Sequence, residues 1–417
     1  MTEPLKTFPP ETRRASPAAS AATFAEYAAH PDAFLTIQGV PPEIASRLPG
    51  FVDFVAPLGI NGDMLVQAIH EAGPAIGPAT PGWQATISRR GDEATARAET
   101  AEAESDTQKA EQEFMAASFW YFLARFPHIL NAEGAAAYHK HIQAYLHAAK
   151  YFAYPVEVIA IPFKGSQLTG YLRLPNGDTP KAGWPIVVIW GGIDVWKSDL
   201  EIHNQSNALL KRSIATLAID MPGTGECSIP VSTQAEHAIL AAMDAIREYT
   251  AIDRARVGCY GLSFGGHFAV KLALLRPDLA GVVNNAGPVH ATFQPTWVSS
   301  LPMGARIALA RVCGLDPRGE PQILLSRLVE LSLVAQGLLP TTTHAPLLSI
   351  NGERDELVSI ADLDLIQHNG VQQDRLIFAH DRHVASRNWA LHEPFVAHWF
   401  VLRFAHQQRE GQAAVGV

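Results

Sequence analysis

The stretch RVGCYGLSFGGHFAV, from Arg256 to Val270, decides the predicted fold of this chain. It begins as an apolar run typical of a buried strand and ends in a segment with helical periodicity. Between them, Gly261-Leu262-Ser263-Phe264-Gly265 has the form G-x-S-x-G, which in a strand–turn–helix context exposes a serine hydroxyl on a sharp turn. The glycines permit that turn and let the helix pack closely on the strand. Ser263 is therefore a candidate nucleophile.

Short β-branched runs recur on both sides of this stretch and alternate with helical segments. They are WPIVVIWGG, IATLAID, RVGCYGL, LAGVVNNAG, APLLSINGE and DRLIFAH. Before them, VEVIAIPFKGSQLTGYLRLP alternates apolar and polar residues around Lys164-Gly165-Ser166, which predicts a hairpin. Apolar strands that alternate with helices indicate a mostly parallel sheet covered on both faces. Ligands bind such a sheet at the carboxyl ends of its strands.

A serine nucleophile needs a base, and the base needs a third group to orient it. In proteins with this type of nucleophile turn, an acid and then a histidine follow the serine along the chain. Glu353, Asp355 and Glu356 all follow the strand APLLSI. We favour Asp355 because the preceding turn carries it into the loop, whereas the two glutamates are expected to face solvent.

Two histidines, His380 and His383, follow the last predicted strand. His380 lies too close to the strand end to reach over the sheet, whereas His383 lies on the loop before a helix. We therefore predict the triad Ser263, Asp355 and His383. The developing oxyanion needs two donors, and we expect them to be the amide of Phe264 and the turn at Gly192–Ile193 that follows WPIVVIW.

The chain divides into four predicted parts. Residues 1–21 are predicted to be disordered, and residues 22–154 form a helical amino-terminal cap rich in good helix formers. Residues 155–287 and 341–417 form the core, and residues 288–340 form an apolar helical lid insertion.

The predicted amino-terminal cap contains an aromatic cluster and several histidines. The aromatic residues are interpreted as a packing surface, and the histidines, which do not share a face suited to a metal, as surface or interface residues. The aromatic residues are Phe119, Trp120, Tyr121, Phe122 and Phe126, and the histidines are His139, His141 and His147.

Composition narrows the function classes. The 417 residues are 47% hydrophobic and 18% charged, with a net charge of −9, so no basic face for nucleic acid is predicted. The sequence contains no run of 18 apolar residues, so no membrane span is predicted. MTEPLKTFPPETRRASPAAS does not have the pattern of a secretory signal. Three widely spaced cysteines are typical of reduced thiols in a cytoplasm and predict neither disulfides nor a zinc site.

Four segments together resemble a known group. AYHKHIQAYLHAAKYFAYPVEVIAIPFKGSQLTGYLRLP, PIVVIWGGIDVWKSDLE, ATLAIDMPGTGE and GCYGLSFGGHFA are similar to the α/β-hydrolases related to the fermentation–respiration switch protein. That group includes 2,6-dihydropseudooxynicotine hydrolase and fungal polyketide-shortening hydrolases, and the resemblance covers roughly residues 115–400. It implies an α/β-hydrolase fold with a helical segment capping the site, allows for a homodimer, and implies a Ser263, Asp355 and His383 triad without metal or organic cofactor.

Asp194 has two interpretations. It pairs with Lys197 or caps the helix that follows, or it holds a substrate hydroxyl or ketone and assists carbon–carbon cleavage, as implied by an acidic residue in the resembled hydrolases. Val195-Trp196 departs from the small residues expected between Asp194 and Lys197, which leaves the substrate open. Trp196 and Trp297 are predicted to contact it.

The lid and cap predict a covered apolar site suited to a small acyl or aryl ketone substrate. For Phe293, Met303 and Trp297 two roles are open: each lines the pocket, or each is only a packing residue of the hydrophobic core. We predict a serine hydrolase that cleaves the carbon–carbon bond of a β-diketone, acyl-aryl or polyketide-like compound, or an ester. The alternatives are a carboxylesterase or thioesterase for a small acyl substrate, and a regulatory binding protein of the same fold without turnover.

Overall fold

The computed structural model describes residues 52, 54–72, 81–339, 345–368 and 373–415. The predicted disorder of residues 1–21 lies outside the described residues. In the described part, the helices are α1 Gly62–Ala72, α2 Pro81–Ala103, α3 Thr107–Arg125, α4 Ala132–Ala148, α5 Leu200–Leu210, α6 Glu236–Arg247, α7 Gly265–Leu275, α8 Pro295–Ser300, α9 Met303–Val312, α10 Pro321–Leu331, α11 Ala361–His368 and α12 Trp389–Val415. The strands are β1 Glu157–Phe163, β2 Ser166–Arg173, β3 Trp184–Trp190, β4 Ala215–Ile219, β5 Ile252–Leu262, β6 Gly281–Asn285, β7 Leu347–Gly352 and β8 Gln373–Phe378.

The eight strands form one sheet in the order β1-β2-β4-β3-β5-β6-β7-β8. The first two strands form the predicted hairpin, in which Phe163 pairs with Ser166 across the two-residue turn, and β2 pairs antiparallel with β4. All remaining neighbours pair in parallel. The alternating runs predicted this mostly parallel sheet with helices on both sides, and the architecture is the α/β-hydrolase fold that the resemblance implied.

Strand β3 explains why the central runs are apolar without interruption. Its side chains alternate between two cores, with Val187 and Ile189 on one face of the sheet and Ile186, Val188 and Trp190 on the other. Because both faces are covered, both alternating sets must be apolar. The first core is completed by α1 to α5 and α12, and the second by α6, α7, α11 and the helices α8 to α10.

The amino-terminal helices are packed against the sheet rather than standing apart from it. The aromatic residues of α3 and Phe126 after it are all buried, in agreement with a packing surface. The three histidines of α4 differ in exposure. His139 and His147 are exposed, whereas His141 is buried, with 1% of its surface exposed. The three histidines were predicted to be surface or interface residues, and a surface position is wrong for His141, because helical spacing places it on the same buried face as Tyr138 and Tyr145.

The segment predicted as a lid insertion leaves the sheet after β6 and returns at β7, and its described part contains α8, α9 and α10. Among the described residues, no helix is long and apolar enough to cross a lipid bilayer. The three cysteines are free and buried. No cluster of three or more potential metal ligands occurs in the described ranges.

Candidate active site

Ser263 lies on the turn between β5 and α7, at the carboxyl end of the sheet. Its backbone is left-handed, with φ of 55°, and its amide donates to the carbonyl of Asn285 on the neighbouring strand at 2.7 Å. Gly261 and Gly265 make the turn possible, because a Cβ on Gly261 would lie 2.3 Å from the Gly265 carbonyl oxygen. The motif therefore forms the sharp strand–turn–helix geometry that its sequence predicts.

His383 lies on the loop after β8 and reaches the serine. Its Nε2 is 2.7 Å from Ser263 Oγ, and its Nδ1 is 2.8 Å from Asp355 Oδ2. Because a carboxylate can only accept, Nδ1 donates to Asp355, and Nε2 of the neutral ring is left to accept the serine proton. Val384 and Ala385 follow with φ of 57° and 52°, which turns the chain sharply behind the imidazole.

Asp355 lies on the loop after β7, and its carboxylate accepts hydrogen bonds that fix its position. Its Oδ1 accepts from the amides of Leu357 at 2.8 Å and Val358 at 3.0 Å, and its Oδ2 also accepts from Asn351 Nδ2 at 2.8 Å. These three donors fix the carboxylate in the plane that His383 requires. No sequence pattern indicated Asn351 as a partner of Asp355.

The competing residues lie elsewhere. His380 is exposed, and its Nδ1 is 2.9 Å from an Arg354 guanidinium nitrogen. Glu353 is exposed, and Glu356 is exposed and pairs with Arg382. Of the candidates in these two loops, Asp355 and His383 are the two that the structure brings to Ser263.

The turn after β3 lies directly against the serine. A Cβ on Gly192 would be 2.7 Å from Ser263 Cβ and 3.0 Å from the amide nitrogen of Phe264, so glycine is required by this close approach. Gly192 thus lies close to the Phe264 amide at the start of α7, and Ile193 lines the same pocket as Ser263. An oxyanion site needs two donors, and the two segments predicted to supply them meet at Ser263.

A pocket opens over Ser263 and His383. Its wall is mostly apolar and includes residues from α8, α9 and α10, the loop after β7, and Pro127 from the amino-terminal helices. The lining residues are Pro127, Ile193, Asp194, Ser263, Phe264, Pro288, Thr292, Phe293, Val298, Leu301, Ala305, Leu309, Leu328, Leu357, Val358 and His383.

The predicted substrate contacts are distributed differently from expectation. Trp196 does not line this pocket: its indole is fully buried, lies 3.6 Å from the Arg125 guanidinium and borders a second cavity. Trp297 lies outside it as well, and its Nε1 donates to the Leu357 carbonyl at 3.1 Å. Met303 is 68% exposed. Trp196 is turned away by the path of the loop after β3, and Trp297 and Met303 by the orientation of α8 and α9, which sequence spacing alone does not determine.

Asp194 does line the pocket, and it is 9% exposed. The N-cap position of α5 is occupied by Asp199, so Asp194 does not cap that helix as one interpretation proposed. Lys197, its other proposed partner, is fully buried between two carboxylates, Asp220 Oδ2 at 2.5 Å and Glu226 Oε2 at 2.6 Å. Burial by itself would lower the pKa of Lys197, but these two charges outweigh it and raise the pKa above its ordinary value.

Arg125, at the end of α3, is a residue that the sequence analysis missed. It is fully buried, donates through Nη1 to the Asp194 carbonyl at 2.8 Å, and pairs through Nη2 with Asp199 Oδ2 at 2.5 Å. Burial alone would raise the pKa of Asp199, but the Arg125 charge and the donors His141 and Trp196 hold it below its ordinary value. A lone arginine in the apolar run FWYFLARF was the available signal, because a buried charge requires a partner.

Most of the chain matches the model of one protein family. The profile of the family described as esterase FrsA-like matches residues 87–393, nearly three quarters of the chain. Esterase FrsA of Vibrio cholerae serotype O1 is 30% identical over 259 residues, 60% of this chain and 60% of the relative. Esterase FrsA of Yersinia pestis is 30% identical over 254 residues, 58% of this chain and 60% of the relative. The match thus spans about three fifths of the length of these curated relatives.

Two solved structures share the fold over most of their length. The crystal structure of 2,6-dihydroxy-pseudo-oxynicotine hydrolase aligns with a TM-score of 0.68 at 20% identity, covering 83% of this chain and 94% of that one. AbyA5 aligns with a TM-score of 0.66 at 22% identity, covering 84% and 96%. At these identities the likeness establishes the α/β-hydrolase fold alone.

Proposed function

The chain belongs to the FrsA-like esterase family, and from this premise we propose that it is a serine hydrolase that cleaves a carboxylic ester with an apolar acyl group. The observation that carries the proposal is the continuous contact from Ser263 Oγ through His383 to Asp355, at the floor of an apolar pocket. Ser263 is the proposed nucleophile, His383 the base and Asp355 the orienting acid.

The proposed reaction has two halves. Ser263 Oγ attacks the ester carbonyl carbon as its proton moves to His383 Nε2, and the negative oxygen is held by the amides of Phe264 and Ile193. The carbon–oxygen bond then breaks, and the alcohol leaves with the proton from His383. A water molecule, deprotonated by the same nitrogen, releases the carboxylic acid and restores Ser263.

The acyl specificity is inferred from the pocket wall. The side chains of Val298, Leu301, Leu309 and Leu328 present only apolar atoms to the pocket, and small-molecule sites of this kind are lined mainly by apolar side chains. Burial of acyl methylene groups there is expected to contribute about 0.8 kcal/mol for each CH₂. Apolar acyl chains are therefore the favoured substrates, and an acyl thioester with the same acyl group would be accepted by the same geometry.

A second candidate function, carbon–carbon cleavage of an acyl-aryl ketone or β-diketone, is favoured by one observation. Asp194 borders the same pocket as Ser263 and His383. A carbon leaving group is a stronger base than an alkoxide, so a carboxyl group that binds its hydroxyl or ketone would assist its protonation. This candidate differs from ester hydrolysis in needing Asp194.

The test is turnover of a p-nitrophenyl ester series from acetate to decanoate by the wild-type protein and by Ser263→Ala. We expect wild-type kcat/KM to rise with acyl length before falling at chains too long for the pocket. Ser263→Ala is expected to lose on the order of 10⁶-fold in kcat, the typical cost of removing such a nucleophile.

Ser299→Ala is the matched control, because Ser299 is an exposed serine on α8 whose hydroxyl donates to the Pro295 carbonyl. Its kinetics should equal those of the wild-type protein. Equal turnover by Ser263→Ala would contradict the proposal. A wild-type protein that binds the acyl esters without turning them over would support the regulatory alternative instead.

A further inference from the structure

The loop after β3 is held by a buried cation from a distant part of the chain. Arg125 Nη1 donates to the Asp194 carbonyl, and Arg125 Nη2 pairs with the Asp199 carboxylate. These two acceptors stand at the two ends of a six-residue segment, so one planar guanidinium spans the loop. A bidentate arginine contact fixes distance and orientation together.

Further contacts close the loop around this guanidinium. The Trp196 amide donates to the same Asp199 Oδ2 at 2.6 Å, and the Trp196 ring lies against the cation at 3.6 Å. The chain also turns tightly at Gly191, where a Cβ would lie only 1.8 Å from the Val195 carbonyl oxygen. The loop therefore has little freedom while Arg125 is in place.

The second partner of Asp199 is itself anchored in the amino-terminal helices. His141 Nε2 lies 2.7 Å from Ser198 Oγ and 3.1 Å from Asp199 Oδ1, and its Nδ1 lies 2.9 Å from both the carbonyl and the hydroxyl oxygen of Ser118. Arg125, His141 and Asp199 are each at most 1% exposed. Removal of one of these side chains would therefore leave a polar group buried without its partner, which is costly.

The opposite end of the loop lies at the serine. Gly192 contacts Ser263 and Phe264, and Ile193 and Asp194 line the pocket with His383. Arg125 binds the carbonyl of Asp194. Asp194 directly follows Ile193 in the chain, so the bound carbonyl is one residue from the Ile193 amide. A displacement of about 1 Å in a group that contacts the transition state can cost about 10²-fold in rate.

We propose that Arg125 is a positioning residue through which the amino-terminal helices fix the oxyanion turn Gly192–Ile193. The inference rests on the proposed serine hydrolase function. It makes these helices part of the catalytic apparatus, in addition to their packing role against the sheet. Arg125 itself acts through the loop and contacts no reacting atom.

The test is Arg125→Lys, which keeps the charge and most of the volume but loses the fork that spans both acceptors. Arg173→Lys is the matched control. Arg173 is also buried, at 2% exposed, and donates to the Tyr154 carbonyl and to Asn207 Oδ1, away from the loop after β3. Both variants remove a buried bidentate contact, so both are expected to lower the melting temperature.

The readout is kcat and KM for a p-nitrophenyl ester, with kcat divided by the burst amplitude that counts competent sites. We expect Arg125→Lys to lose about 10- to 100-fold in kcat, with KM within about twofold, since losing an oxyanion donor outright costs about 10²–10³-fold. Arg173→Lys should retain the wild-type kcat per site.

Two failures are distinguishable. If the wild-type protein has no Ser263-dependent turnover, the proposed function fails. The second failure requires that the wild-type protein turns over the ester. If the kcat per site of Arg125→Lys then equals that of the wild-type protein, or falls no further than the kcat per site of Arg173→Lys, the positioning role of Arg125 is overturned while the hydrolase proposal stands.

Discussion

Left-handed backbone conformations occur at and beside the two side chains proposed to exchange a proton. Ser263, Val384 and Ala385 all have left-handed conformations with φ between 52° and 57°. Non-glycine residues in this region cost about 1–3 kcal/mol each, and such strain gathers where function requires a fixed geometry. At Ser263 the strain presents the hydroxyl above the sheet, and after His383 it turns the chain so that the imidazole faces the serine.

At the same scale, Asp194→Asn separates the two candidate functions. If Asp194 only shapes the pocket, kcat for ester hydrolysis should stay within about threefold of wild type, because the alcohol takes its proton from His383. If the enzyme also cleaves a carbon–carbon bond, kcat for an acyl-aryl ketone should fall by about 10²-fold or more, the lower range for loss of a general acid. Parallel kinetics on the two substrates measure this difference.

Asp178→Asn, which changes an exposed aspartate in the loop before β3, serves as the control for loss of one charge. Loss of both activities in proportion to a lower melting temperature would make Asp194 a structural residue. In that event the carbon–carbon candidate loses its local support.

At the scale of elements, the strands were more predictable than the lid. Each apolar run became a parallel strand, and for the inner strands burial on both faces dictates this composition. The loops after β3, β5, β7 and β8 meet at one edge of the sheet, as parallel pairing requires. The helices of 288–340 were also expected. Which side chains they turn inward was not, because that depends on how each helix rotates against its neighbours.

Leu309→Ala tests the contribution of α9 to acyl selection. Leu309 lines the pocket, so truncation should enlarge it and move the preferred ester toward an acyl chain longer by about two carbons. Leu331→Ala on α10 is the control, since Leu331 is fully buried but does not line the pocket. Each truncation is expected to cost about 2–5 kcal/mol of stability.

The measurement is kcat/KM across the ester series, together with urea unfolding. A shift in acyl preference for Leu309→Ala alone supports the lid as the acyl wall. The same shift in both variants, or in neither, would count against it.

At the scale of the whole molecule, the site is assembled from segments far apart in sequence. Arg125 and Asp199 are separated by 74 positions, and Ser263 and His383 by 120. Local patterns predicted the nucleophile turn and narrowed the acid and base to a few residues each. They could not predict that Asp199 pairs with Arg125 and lies beside His141. Periodicity indicates which face of a helix is buried, but it does not indicate which charged group that face contacts.

The global stability is expected to depend on pH through Glu393 of α12. Burial raises the pKa of Glu393 to about 7, so the folded protein binds this proton more tightly than the unfolded chain does. The stabilisation is complete below the unfolded pKa and is lost as pH rises through about 7. Between pH 5 and pH 8, Glu393→Gln should therefore show a smaller fall in melting temperature than the wild-type protein.

Glu104→Gln is the control, because Glu104 is an exposed carboxylate at the end of α2. Its melting temperature should follow the wild-type dependence on pH. An unchanged pH dependence in Glu393→Gln would mean that Glu393 does not carry this proton.

The most direct test of the central claim is the site and rate of covalent labelling by a fluorophosphonate, read by peptide mass spectrometry. We predict one adduct on Ser263, labelling at least about 10³-fold slower in His383→Ala because the hydroxyl loses its base, and unchanged labelling in His380→Ala, whose side chain is exposed beside Arg354. An adduct on another residue, or a slow His380→Ala with a normal His383→Ala, would contradict the account.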